Sequence, residues 1–370
     1  MSEISLVIGL IIIGHFIDKN SQLTSRYVSP ALAGGLAGSL ILMIAVVVFK
    51  YPWQLPQLFE RLLLTAFLFS IGIRIGLVYS WQHIRNMTYL FIIASVFLFI
   101  LELTIQFGFH THSKLVLSFG SSTFSWNNEW GLRIQPLFPR EQRLWLYFQL
   151  SLFLVFLLTP FVLWRLQSSA TLAEVEHKGI NIGNWHLLGI GAVVGVSFAA
   201  VWLKIYCFAD VLFLFDFVIS MTIGVMVGIM LRRTNNDTHR QFVSTIQDIG
   251  LLSLDGFIII MILNSAYVIL TLWSWAIFGL LLTKILIVTM IFVVIVSYWV
   301  KDRRRLVLAS AVWSFILSSP VTCMNAMRSV VSKHGEADDV LLLVPPVILW
   351  LVNYPHYLIF LWLYKFGNSL

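Results

Sequence analysis

Apolar residues gather along the chain in long unbroken runs, with polar residues confined to the gaps between them. Ten such runs, at 4–17, 31–49, 62–79, 88–107, 145–166, 186–206, 211–231, 251–270, 274–299 and 340–364, stand out. A helix needs about 20 apolar residues to cross a hydrocarbon core of about 30 Å. Backbone groups in lipid must pair within the protein, which permits only helices or a closed barrel. The ten-residue alternating strands of a barrel are absent, so the pattern predicts ten transmembrane helices. The first run is short and holds Gly14 and His15. It lacks a basic leader and a small-residue cleavage site, and reads as a span rather than a removed signal peptide.

Two further segments begin apolar, break in a knot of Ser, Thr, Asn, Gly or Pro, and then resume. They are 115–134 (LVLSFGSSTFSWNNEWGLRI) and 306–331 (LVLASAVWSFILSSPVTCMNAMRSVV). Each is either one more helix with hydroxyls packed between neighbours or a re-entrant hairpin that dips into the membrane and returns. Backbone of the second kind is tolerated only where protein or water surrounds it. Their positions favour hairpins: one precedes the fifth long run, the other the tenth. The polar linker 167–185 divides the chain into a first five-helix repeat (1–166) and a second (186–370). Five crossings are an odd number, so two like halves point in opposite directions, the inverted repeat of many secondary transporters. The segments 31–42 (ALAGGLAGSLIL) and 220–231 (SMTIGVMVGIML) are weakly alike, as such a repeat requires.

Composition agrees with burial in lipid. Of 370 residues, 59% are apolar and 11% charged, against about 25% charged in soluble domains. Disorder, a secreted disulfide scaffold and an ordinary cytosolic enzyme are thereby excluded. Cys207 and Cys323 imply neither a disulfide framework nor a thiolate metal site. The net charge of +7 is informative through its distribution. With the N-terminus outside, fourteen loop Lys and Arg, Arg328 among them, fall inside and eight outside, the inner set dominated by 232–240 and 301–305. The positive-inside rule then places both termini outside. The charge reports topology and contact with anionic lipid, and gives no support for nucleic-acid binding.

Ionisable residues within spans are costly and mark function by default. The candidates are Arg74, Glu102, Asp216, Asp255 and Lys284. Arg74 and Asp216 lie near span ends and read mainly as interfacial. Glu102 and Lys284 are deep enough to pair with each other, and Glu102 is equally suited to bind a cation or relay a proton. Asp255, in LLSLDGFIII, reads as an oxygen ligand for Na⁺ at a helix start broken by Gly256. His15 reads as a packed or interfacial side chain, and His110 and His112 as loop residues. No GxxxxGK[ST], HExxH or GxSxG motif occurs, so neither nucleotide hydrolysis nor any other enzymatic activity is expected.

The hairpins carry the substrate chemistry. The first offers Ser121, Ser122, Thr123, Ser125, Asn127 and Asn128, and the second Ser318, Ser319, Thr322 and Asn325, with Pro320 as the breaker. Hydroxyls, amides and the free N–H groups of a broken helix suit a small carboxylate, while freed carbonyls suit Na⁺.

At this point the arrangement resembles the bacterial sodium/glutamate symporter family. The segment 27–38 (YVSPALAGGLAG) is similar to that family's Y-x-x-P-x-x-(x)-A-G-G-L, and 64–72 (LTAFLFSIG) to its L-x-x-F-F-x-(T/S)-I-G. Near the end, 307–309 (VLA), 333–335 (KHG) and 342–345 (LLVP) fall in the family's order. The resemblance implies Na⁺-driven symport of glutamate or another small carboxylate across a cytoplasmic (inner) membrane by a homodimer, with no cofactor. The chain departs from the family in both hairpins. It reads WNNEWG at 126–131 where the family has a stretch close to G-G-H-G-T-G, and it has no glycine between Gly279 and Gly335. Glycine permits close backbone approach to a ligand, and Trp126, Trp130 and Trp313 add bulk. These departures keep a second reading open: a degenerate homologue that no longer transports and serves as a membrane sensor or scaffold.

Overall fold

Helix boundaries follow the polar breaks between apolar runs. The computed structural model describes residues 2–21, 27–50, 53, 57–78, 142–167, 185–207, 216–234, 237–318, 320–334 and 344. Its helices are α1 (Ser2–Ser21), α2 (Pro30–Phe49), α3 (Gln57–Val78), α4 (Gln142–Gln167), α5 (Trp185–Tyr206), α6 (Asp216–Thr234), α7 (Asp237–Leu272), α8 (Trp275–Ser297), α9 (Arg303–Leu317) and α10 (Pro320–His334). No strand occurs among the described residues. Among the described residues, five helical stretches are long and apolar enough to cross a bilayer: Pro30–Phe49, Gln149–Gln167, Gly189–Tyr206, Gln241–Leu272 and Trp275–Ser297. The predicted span at 88–107, the span at 340–364 apart from Val344, the hairpin at 115–134 and most of the linker lie outside the described residues.

α7 departs most from the sequence reading. It runs unbroken for 36 residues, about 54 Å at 1.5 Å per residue. The predicted run 251–270 is only its apolar part. The preceding 237–250 (DTHRQFVSTIQDIG) is too polar to register as a span, yet it contains no proline. Gly256 does not break the helix, and Asp255 therefore sits mid-helix rather than at a helix start. A side chain at Gly256 would press on Ile11 and Leu63, so the glycine marks close packing. α7 is the central element, packed against α1, α2, α3, α4 and α5, and Leu254 and 257–263 are buried along it.

Around this axis, α3 lies along α6. Gly72 and Gly76 on α3 meet Gly224 and Gly228 on α6, each approaching the other helix's backbone closely enough to exclude a Cβ. Small residues at four-residue spacing are the usual means of bringing helices together in lipid, where dispersion and hydrogen bonds drive association and hydrophobic burial does not. Polar side chains add cross-links. Ser220 Oγ donates to the Thr65 carbonyl at 2.7 Å, and Ser265 Oγ donates to Gln149 Oε1 at 2.7 Å.

The outer faces of α2 and α8 are apolar and exposed, with Val47, Phe49, Met290, Val294 and Ile295 each more than 60% accessible. α8 is bracketed by aromatic residues. Trp273, Trp275 and Phe278 contact one another at one end, and Tyr298 and Trp299 stand at the other, with the Arg305 guanidinium 5.8 Å from the Trp299 ring centroid. Amphipathic rings at both ends of an apolar helix are the signature of two membrane interfaces.

Candidate functional site

Pro320 cannot donate a helical hydrogen bond and is well placed as the first residue of a helix. α9 ends at Leu317, Ser318 adopts a non-helical backbone (φ −152°, ψ −100°), and α10 begins at Pro320. The chain reverses there. Thr322 Oγ1 donates to the Ser314 carbonyl at 3.2 Å, whereas eight residues of straight helix would separate these positions by about 12 Å. At the open end, Arg303 Nη1 donates to the His334 carbonyl. α9 and α10 therefore form a closed antiparallel hairpin, slightly longer at both ends than the predicted 306–331. Asp302 caps its first helix, accepting the Arg305 N–H at 2.8 Å.

The segment before α2 grips the hairpin. Ser29 caps α2, its hydroxyl accepting the Leu32 N–H at 3.1 Å while donating to Asn325 Oδ1 at 2.9 Å. Tyr27 holds a left-handed backbone (φ 61°), a conformation that costs a non-glycine residue on the order of 1 kcal/mol. Its hydroxyl is hydrogen-bonded to His334 Nε2 at 2.7 Å, and Lys333 Nζ lies 4.3 Å from its ring centroid. Lys333 also donates to Gln167 Oε1 on α4.

One turn beyond Asn325, on the same face of α10, is Arg328. Its Nε lies 3.6 Å from Asp255 Oδ1. His15 Nε2 on α1 lies 3.4 Å from Asp255 Oδ2. The Asp255 side chain is 2% exposed, Arg328 16% and His15 46%. These separations exceed the 2.7–2.9 Å of a good charge-assisted hydrogen bond. Both Asp255 carboxylate oxygens, Arg328 Nε and Asn325 Nδ2 are buried with no hydrogen-bond partner among the described residues.

Of the residues singled out from sequence, the structure brings Asn325 and Asp255 to this cluster through Ser29 and Arg328. Ser318 and Thr322 line the reversal; the Ser318 hydroxyl is 3.5 Å from that of Ser151 on α4. Glu102, Ser121, Ser122, Thr123, Ser125, Asn127, Asn128 and Ser319 lie outside the described residues. Lys284 belongs to α8, and Asp216 opens α6 as a buried residue. Sequence reasoning missed Arg328, which was counted among inner-loop charges and instead sits within α10 against a buried carboxylate. It also missed Ser29. The available signals were the three-residue spacing of Asn325 and Arg328, which shares a helix face, and the S-P pair preceding an apolar run, which marks an N-cap.

Long apolar helices, exposed apolar faces and a broken-helix hairpin closed on buried polar groups define a helical membrane protein. Comparison with family models, with curated proteins and with solved structures found no match.

Proposed function

We propose that the protein is a secondary active transporter, a Na⁺-coupled symporter of glutamate or another small carboxylate, built from two inverted five-helix repeats in a cytoplasmic membrane. The observation that carries this reading is the hairpin. Each of its arms has 15 residues, about 22 Å, too short to cross about 30 Å of hydrocarbon. A helix pair that turns back partway exposes free backbone groups at depth, the construction that discontinuous transporter helices use to bind ions and substrates. Ser318, Thr322 and Asn325 then line the substrate site, joined by the equivalent hydroxyls and amides of the first hairpin. Asp255 serves as the ion-coupling carboxylate, with Glu102 as a second candidate.

The packing supports the repeat. If α1, α2 and α3 correspond to α5, α6 and α7, then the contact of α2 with α7 should have a partner in that of α6 with α3. The contact of α1 with α2 should likewise pair with α5 and α6, and that of α1 with α7 with α5 and α3. All six contacts are present; the contact of α5 with α7 has no comparably extensive counterpart between α1 and α3. The motif resemblance to sodium/glutamate symporters points the same way, and its homodimer is the assembly expected.

A second reading, a non-transporting homologue acting as membrane sensor or scaffold, draws on Trp313. This side chain is fully buried in α9, its Nε1 donating to Thr289 Oγ1 at 3.1 Å. It fills space between α9 and α8 that the resembled family leaves open. Uptake of labelled glutamate, aspartate and succinate into proteoliposomes, with and without an inward Na⁺ gradient, separates the two.

A further inference from the structure

Asp255 and Arg328 are held together loosely for a buried ion pair. Among the described residues, neither oxygen of the carboxylate has a hydrogen-bond donor, and Arg328 Nε has no acceptor. Asn325 Nδ2, a further buried donor without an acceptor, is on the same face of α10 three residues earlier. Two unfilled donors, one of them cationic, on a single face of a broken-helix hairpin constitute an anion site. Asp255 on α7 stands at its edge, 3.6 Å from Arg328 Nε.

Resting on the symport reading, we propose that Asp255 is the internal occupant of this site, and that substrate and Asp255 exchange places on Arg328. The substrate carboxylate takes the Arg328 guanidinium and the Asn325 amide, for which its two oxygens are suited. Asp255, released from Arg328, is left as a buried carboxylate with His15, 46% exposed, as its remaining partner among the described residues. A buried charge cannot remain uncompensated, so the exchange goes to completion only when a cation binds Asp255. Na⁺ and substrate are thereby required together, and one Na⁺ restores the charge balance for each carboxylate bound at Arg328. The coupling resides in a charge relation among three residues and needs no direct contact between ion and substrate. It assigns Arg328 as a substrate-binding residue and gives Asp255 two successive partners.

The test uses the full-length protein in lipid nanodiscs, reading the shift in thermal midpoint with glutamate, aspartate or succinate in Na⁺ or choline buffer. The wild type is expected to respond to a carboxylate with affinity on the order of tenfold higher in Na⁺. Asp255→Asn is expected to respond equally in both buffers, because no carboxylate remains to be compensated. The pair Asp255→Asn with Arg328→Gln carries no buried charge, should fold, and should lose the response altogether. A wild type that responds while Asp255→Asn keeps its Na⁺ requirement, or a double variant that still responds, overturns the exchange and leaves the symport reading standing. A wild type silent toward all three carboxylates in both buffers overturns the symport reading, and the exchange with it.

Discussion

The Ser29 hydroxyl donates to Asn325 Oδ1 at 2.9 Å, joining residues 296 positions apart in sequence. Ser29 Oγ also accepts the Leu32 N–H that starts α2. One side chain thus ends a loop, begins a helix and fixes the amide that the transport reading assigns to substrate. Ser29→Ala should lower stability by about 1–2 kcal/mol, the combined cost of an N-cap and a buried hydrogen bond. A double-mutant cycle with Asn325→Ala, followed by thermal unfolding in detergent, should return a coupling of about 1 kcal/mol. Additive effects would show that the two side chains do not interact.

Arg328→Gln alone leaves Asp255 buried and without its cationic partner. Breaking a buried pair in this way costs about 3–5 kcal/mol, whereas removing both charges is often neutral. The single variant should therefore unfold well below the wild type, and adding Asp255→Asn should recover most of the loss. Equal destabilisation in the single and double variants would contradict the ion pair.

Glycines differ in what surrounds them. Gly76 and Gly228 abut the backbone of the facing helix, whereas a Cβ at Gly191 or Gly195 on α5 would meet no other described group within 4 Å. Replacing Gly228 by Val should separate α3 from α6 and abolish the folded protein, as judged by monodisperse size-exclusion profiles. Gly191→Ala and Gly195→Ala should be neutral or stabilising by up to about 1 kcal/mol, the difference in helix propensity.

Much of the scaffold was legible in the sequence because hydropathy records the property that lipid selects. α2, α4, α5 and α8 coincide with predicted spans to within a few residues, and the reversal falls at the predicted Ser318–Pro320 break. Two things were hidden. The polar first half of α7 carries helix-compatible residues that no apolar-run count detects, and so Asp255 was assigned to a helix start. The Asp255–Arg328 pair was invisible for a different reason. It joins α7 to α10 across 73 positions, and Arg328 was counted as one more inner-loop cation. Only the fold-back of the hairpin, which brings α10 against the loop before α2, turns that charge inward.

The two cysteines give a check on topology. Cys207 is exposed at the end of α5, and Cys323 is buried in α10. A membrane-impermeant maleimide applied from outside the cell should label Cys207, which the charge distribution places on the outer side. Cys323 should react only after denaturation. Labelling of Cys207 exclusively from the cytoplasmic side would reverse the orientation.

The central claim is tested most directly by concentrative uptake. Proteoliposomes holding the wild-type protein should accumulate labelled glutamate, or another small carboxylate, above its external concentration when an inward Na⁺ gradient is imposed. Collapse of that gradient with a Na⁺ ionophore should release the excess, and Asn325→Ala should abolish the accumulation. Absence of Na⁺-driven accumulation of any of glutamate, aspartate and succinate, by protein shown to be folded and inserted, would contradict the account.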